Sequence, residues 1–140
     1  MLRKTLALIT ISVILSVFAL PVNKNTAETA ARNWMKAKTE KNDIGEISEY
    51  VLYNETFYAF NFRSGGFVLI AADDASVPVL GYSANRKFAA DKEKGNINFW
   101  LGLYSKAINE IRNKNLSSEP VSEMWKNVLN GNIPKTVKAV

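Results

Sequence analysis

The order of apolar patterns along this chain predicts an α+β fold: one N-terminal helix, a four-stranded antiparallel meander, and two C-terminal helices packed on it. Three observations carry the prediction. Ala27, Ala30, Ala31, Trp34 and Met35 recur at helical spacing, and two further helical stripes follow Asn96. Between them lie four short runs rich in aromatic and β-branched residues. Those runs are separated by turn-forming sequences: Asn54-Glu55-Thr56, Ser64-Gly65-Gly66 and Asp73-Asp74.

The first helix is expected to open on a capping-box-like pair, Asn25 with Glu28 three residues on, and to run to about Ala37. At its spacing Trp34 reads as core. Lys41 to Gly45 is a polar loop. Ile47 and Tyr50 to Tyr53 make the first strand, and Phe57 to Phe62 the second. Ser64-Gly65-Gly66 closes the next hairpin, because paired glycines supply the positive φ that tight turns need. Phe67 to Ala72 is an almost continuous apolar run, as expected of a strand central in its sheet. Alternation points the carboxylates of Asp73 and Asp74 to opposite faces, so the pair reads as a turn rather than a shared site. Val77, Val79, Leu80 and Tyr82 form the fourth strand, which Pro78 places at an edge or at a strand start.

A charged loop, Asp91 to Gly95, precedes a long helix opening at Asn96. Ile97, Trp100, Leu101, Tyr104, Ala107, Ile108 and Ile111 lie on one face, with Phe99 and Leu103 as a second strip beside it. The two strips are wider than one core contact requires. Either the helix is wedged between two layers or part of it faces a partner. The last helix starts with Pro120 in its first turn, carries Val121, Met124, Trp125, Val128 and Leu129, and stops at Asn130-Gly131.

The first twenty residues follow a different logic. Arg3 and Lys4 precede an uncharged stretch from Thr5 to Leu20, with Val17 and Ala19 at the positions a signal peptidase reads. This predicts a signal peptide over 1–19, a domain over 20–132 and an exposed tail over 133–140. The uncharged stretch is shorter than the roughly 20 residues a bilayer-spanning helix needs. The product is expected to be secreted or periplasmic, with no membrane segment after cleavage.

Composition narrows the function. Cysteine and histidine are both absent. No disulfide, thiolate or imidazole metal site, cysteine nucleophile or histidine base is therefore available, and neither metal nor cofactor is expected. Loss of Arg3 and Lys4 leaves 16 basic against 13 acidic residues, a net +3. The basic residues are scattered rather than gathered in a stripe, which argues against nucleic acid. The residues alone point to a secreted binding domain that is not an enzyme.

The block Phe60-Asn61-Phe62-Arg63-Ser64-Gly65-Gly66-Phe67-Val68-Leu69-Ile70-Ala71-Ala72-Asp73-Asp74, continued by Pro78-Val79-Leu80-Gly81-Tyr82-Ser83, resembles the prodomain signature of the streptopain family. The resemblance extends from Pro21 to about Gly131. Streptopain-like proteins are secreted bacterial cysteine peptidases, and their prodomain also occurs as a free-standing inhibitor of the mature enzyme. The resemblance implies an inhibitor that blocks a streptopain-like peptidase cleft as a folded body, with no catalytic residue of its own. It also implies a role for Asn96, which matches the asparagine that enters the active-site cleft in streptopain-like zymogens. Asparagine is equally a good helix N-cap, so contact and cap both stand. The implied contact segment is Lys94, Gly95, Asn96, Ile97 and Asn98, with Phe99 and Leu103 as further contacts. Two departures from the family pattern, the Lys92-Glu93-Lys94 loop and Arg86-Lys87-Phe88, bear on which peptidase is bound. Two other functions are compatible with the same residues. One is a separated folding chaperone using the same surface. The other is a cell-envelope glycan or peptide module, favoured if Tyr50, Tyr53, Phe57 and Tyr58 form an exposed concave patch.

Overall fold

A computed structural model describes residues 19–39, 41, 43–89 and 96–135. Its elements are α1 (Lys24–Lys38), β1 (Ile47–Tyr53), β2 (Phe57–Phe62), β3 (Phe67–Ala71), β4 (Val79–Ser83), α2 (Asn96–Asn113) and α3 (Glu119–Leu129). The four strands form one antiparallel sheet in the order β1-β2-β3-β4. The expected class and meander are those observed.

Every residue of β2 is buried, and so is β3 beyond Phe67. Both faces of the sheet centre are therefore core. Tyr58 pairs with Ile70 and Phe60 with Val68, which puts these four on one face. α1 covers that face through Ala27, Ala30, Ala31 and Met35. The Tyr58 hydroxyl donates to the Val22 carbonyl (3.0 Å), and Trp34 meets Tyr82 edge-on at 5.7 Å. Burial, with Tyr50 nearby, pushes the Tyr58 phenol above its ordinary pKa. α3 lies beside α1. The Asn33 amide donates to the carbonyls of Val128 and Leu129, and the Trp125 indole N–H to that of Ser76.

The opposite face presents Phe57, Ala59, Asn61 and Leu69, and α2 covers it with Leu101, Ser105 and Ile108. Thr56 Oγ1 meets Ser105 Oγ at 3.1 Å. Arg112 locks the far end of the helix: its Nε donates to the buried Asp73 carboxylate and its Nη2 to the Glu55 carbonyl, both at 3.0 Å. A charge this deeply buried is tolerated because it is paired. Asp73 and Asp74 share no partner, and Asp74 lies in the turn that follows the sheet. Asp73 accepts from Arg112 and from the Ala75 N–H, and Asp74 accepts from the Leu20 N–H.

Several expectations are corrected. The N-cap of α1 is Asn23, whose side chain accepts from the Thr26 N–H at 2.9 Å. Asn25 lies inside the helix, and Glu28 pairs with Lys24 and Arg32 instead of closing a capping box. In α2, Ile97, Trp100 and Ala107 are exposed. The true stripe is Leu101, Ser105 and Ile108, flanked by Arg112, so polar residues with specific partners rotate it away from the all-apolar line. α2 is not wedged between layers: one side rests on the sheet and the other carries an open apolar strip. In α3, Met124 is exposed, whereas Trp125 and Val128 are buried. Ile133 packs on the core and Lys38 Nζ donates to the Pro134 carbonyl, while residues 136–140 of the expected tail lie outside the described residues.

The turns follow the residue chemistry. Asn54 and Glu55 both have positive φ, and the Thr56 N–H closes the turn on the Tyr53 carbonyl at 2.9 Å, within a three-residue connection between the paired Tyr53 and Phe57. Gly65 and Gly66 sit at φ +94° and +97°. A Cβ on Gly66 would lie 2.6 Å from the Ser83 carbonyl oxygen, whereas one on Gly65 meets nothing closer than 3.5 Å. Gly66→Ala is therefore expected to lower the melting temperature more than Gly65→Ala. Backbone strain of about 1–3 kcal/mol is common to both, and only the first adds a clash with backbone. Thermal melts of the two variants by circular dichroism check this, and equal losses would contradict it.

Candidate functional site

The residues singled out by sequence converge on the start of α2. Lys94 and Gly95 lie outside the described residues, as does the side chain of Asn96, whose backbone opens the helix. Asn98 is exposed, as are Ile97 and Leu103, and Phe99 is 64% exposed. Trp100, assigned by periodicity to the buried stripe, is 56% exposed and stands edge-on to Phe99 with ring centroids 6.0 Å apart. The first two turns of α2 thus carry Ile97, Phe99, Trp100 and Leu103 as one apolar strip facing solvent, directly behind the buried Leu101. Helical spacing makes this continuous, because 99 and 103 are four apart and 97, 100 and 103 are three apart. Exposed aromatic residues grouped in this way mark binding surfaces, whereas single ones do not.

A groove of about 500 Å³ runs alongside, between α2 and the β3–β4 edge of the sheet. Ile97, Trp100 and Tyr104 line one wall, and Leu69, Leu80 and Phe88 the other, with Arg86 and Lys87 at the rim. The groove is mostly apolar with cations at its mouth, which suits a partner whose apolar side chain is bordered by acidic groups. Among the described residues no group of His, Cys, Asp and Glu is arranged to hold a metal.

The far wall is fixed by one buried polar residue that the periodicity did not single out. Asn61 sits mid-β2, almost fully buried. Its Oδ1 accepts from the Phe88 N–H (2.7 Å), and its Nδ2 donates to the Phe88 carbonyl and to Glu49 Oε1, both at 2.8 Å. The amide thus imitates a neighbouring strand, satisfying both backbone groups of Phe88. The Phe88 ring then drops into the core beside Phe67, 5.6 Å between centroids. This fixes the course of the chain leaving β4, a few residues before α2. The only sequence signal was a single asparagine in an otherwise apolar strand.

The patch reading of the aromatic residues fails. Phe57 is fully buried and stacked on Tyr53 at 4.8 Å, and Tyr58 is buried with its hydroxyl occupied by Val22. Only Tyr50 of the four is well exposed, and its ring is covered by Lys24 at 4.7 Å. No concave aromatic surface remains there to hold a glycan.

The family model described as Spi protease inhibitor matches residues 19–108, which spans α1, the whole sheet and most of α2. The chain belongs to the Spi protease inhibitor family. The family is one of protease inhibitors. Streptopain of Streptococcus pyogenes is 32% identical over 99 residues, which is 69% of this chain and 23% of streptopain. The streptopain of serotype M1 aligns with the same identity and coverage. The chain therefore spans less than a quarter of the curated relatives it matches, over the prodomain region that the sequence resembles. No solved structure matches. Within the Spi inhibitor domain, Asn61 and the Gly65-Gly66 turn belong to the block that carries the resemblance. That block is the rigid frame behind the α2 strip.

Asn61→Asp is nearly isosteric yet is expected to destabilise the domain. It loses both Nδ2 donations and sets a carboxylate against Glu49 and the Phe88 carbonyl. Leaving a buried acceptor unpaired costs about 1–3 kcal/mol, so the midpoint of urea unfolding should fall clearly. A midpoint unchanged from the parent would mean that the clamp is not formed in solution.

Proposed function

We propose that this protein is a secreted inhibitor of streptopain-like cysteine peptidases, released by cleavage after Ala19, which covers the peptidase cleft with the start of α2. Membership of the Spi protease inhibitor family supports the inhibitor class. Similarity to streptopain over its prodomain region supports a streptopain-like target. The single observation that carries the mode is the apolar strip Ile97, Phe99, Trp100 and Leu103, left in solvent on a helix whose other side is fully used by the sheet. A soluble domain gains nothing within its own fold from exposing Trp100 and Phe99 side by side, whereas aromatic anchors dominate protein interfaces.

Asn96, the first residue of the helix that carries this strip, is where the resemblance puts the asparagine that enters the cleft. Asn96 supplies the polar contact and the strip supplies the desolvated area around it. Inhibition of this kind needs no chemistry from the inhibitor. It needs a pre-folded body, since a surface already held in its bound shape loses less entropy on docking. A stable complex buries roughly 1,600 Å² in all, so the α2 strip is its centre and the groove beside Phe88 its flank.

Titration of the protein against streptopain and against papain tests the target, with inhibition of the first only as the expected result. Trp100→Ala and Phe99→Ala are expected to leave the melting temperature near the parental value, because both rings are in solvent. Each should weaken inhibition of streptopain about 10- to 100-fold, as truncation of an interface anchor does. Asn96→Gly removes the side chain at the first residue of α2, so a similar loss there with an unchanged melting temperature marks a direct contact. Parental inhibition constants for all three variants would remove the helix start from the interface.

A further inference from the structure

Residues 20–22 run as a short extra strand beside the end of β3. Pro21 bridges Asp73, the Val22 N–H donates to the Ala72 carbonyl at 2.9 Å, and the Asp74 N–H donates to the Leu20 carbonyl at 3.0 Å. These backbone bonds fix the register of the chain up to the Leu20 nitrogen. That nitrogen lies 2.7 Å from Asp74 Oδ1, in solvent. The preceding nitrogen, of Ala19, lies 2.7 Å from Asn115 Oδ1.

We propose that Asp74 is the binding site for the α-ammonium group that processing creates on Leu20. The inference rests on cleavage after Ala19 as stated above. In that step a signal peptidase adds water across the Ala19–Leu20 peptide bond. Ala19 leaves as a carboxylate on the leader, and the Leu20 nitrogen takes up protons to become –NH3⁺. An amide that donated one neutral hydrogen bond to Asp74 is thereby replaced by a cation on the same carboxylate. Charge-assisted bonds are about twice as strong as neutral ones. Cleavage one bond earlier would set the new cation on Asn115, a neutral amide oxygen. Of the two bonds, only the one after Ala19 turns an existing contact into an ion pair. The maturation step would then itself complete the N-terminal strand of the folded domain.

An ordinary α-amine titrates at about 7.7–8.0. Pairing with Asp74 raises this, because the carboxylate favours the charged form. The neighbouring pocket under Ala19 and Pro21 is lined by Glu55, Tyr58, Asp73 and Arg112, and Arg112 is already engaged by Asp73. The stabilisation is complete below the unfolded value near 8 and is lost as pH rises through the raised folded value.

The test uses protein secreted with its own leader and labelled with ¹³C-leucine. Intact mass gives the mature terminus, and the Leu20 α-carbon shift followed against pH gives the amine titration. The expected result is a chain starting at Leu20 whose amine titrates about half a pH unit above the ordinary range, returning to it in Asp74→Asn. A mature chain starting elsewhere would overturn the processing site and the lock together. A chain starting at Leu20 with the same amine titration in parent and Asp74→Asn would overturn the lock and leave the processing site standing.

Discussion

All six side chains of β2 are buried, and a strand without a solvent face has to be covered twice. The rest of the architecture answers that requirement. α1 and α3 form one layer, with small alanines on α1 bringing it close to Tyr58, Phe60 and the β3 side chains. α2 and the segment holding Phe88 form the other. Asn61 is the exception that proves informative, since a polar group in such a strand must find partners inside the protein. It finds them in the backbone of Phe88, and so the interior decides the path of a surface segment.

Much of this was legible in the residues. The strands and turns were readable because short aromatic and β-branched runs, a Gly-Gly pair and an Asn-Glu turn each have a local cause. The stripes of α1 and α3 were readable for the same kind of reason, although Met124 turned outward. α2 was only half readable. Its stripe was drawn through apolar residues, and the structure instead runs it through Ser105 and on to Arg112. Nothing in the periodicity of a helix reveals that a serine has a threonine hydroxyl waiting opposite, or that Asp73 is buried and needs a cation. The same oversight placed Trp100 inside. The candidate site came from elsewhere: the resemblance of the Phe60–Ser83 block directed attention to Asn96, and the second strip, Phe99 and Leu103, left open a wedged helix or a partner. The Asn61 clamp was not legible, because one amide in a strand has no pattern.

α2 divides two tasks between neighbouring residues. Leu101 is buried against the sheet, and Trp100, adjacent in sequence, is in solvent. Substitutions on the outer side therefore alter what the helix can dock against without disturbing what holds it in place. The sheet-facing side, with its hydroxyl pair and ion pair, keeps the outer strip at a constant angle to the groove. Under the proposed mode of inhibition, specificity towards different peptidases would drift through Phe99, Trp100, Leu103, Arg86 and Lys87 on a frame that stays the same.

The attachment of α2 also sets a timescale. β2 is held along both edges and on both faces, whereas α2 rests on Leu101, Ser105 and Ile108 and on the Arg112 tether. Local openings within one domain range from nearly free to the cost of complete unfolding. The amide hydrogens of α2 accordingly exchange with solvent through brief detachments of the helix, while those of Phe57–Phe62 wait for the whole domain to unfold. A detached α2 is an extended chain that a peptidase can cut, and a docked α2 is a wall that it cannot. In the proposed complex, the ratio of helix re-docking to bond cleavage would decide whether an encounter ends in inhibition or in digestion.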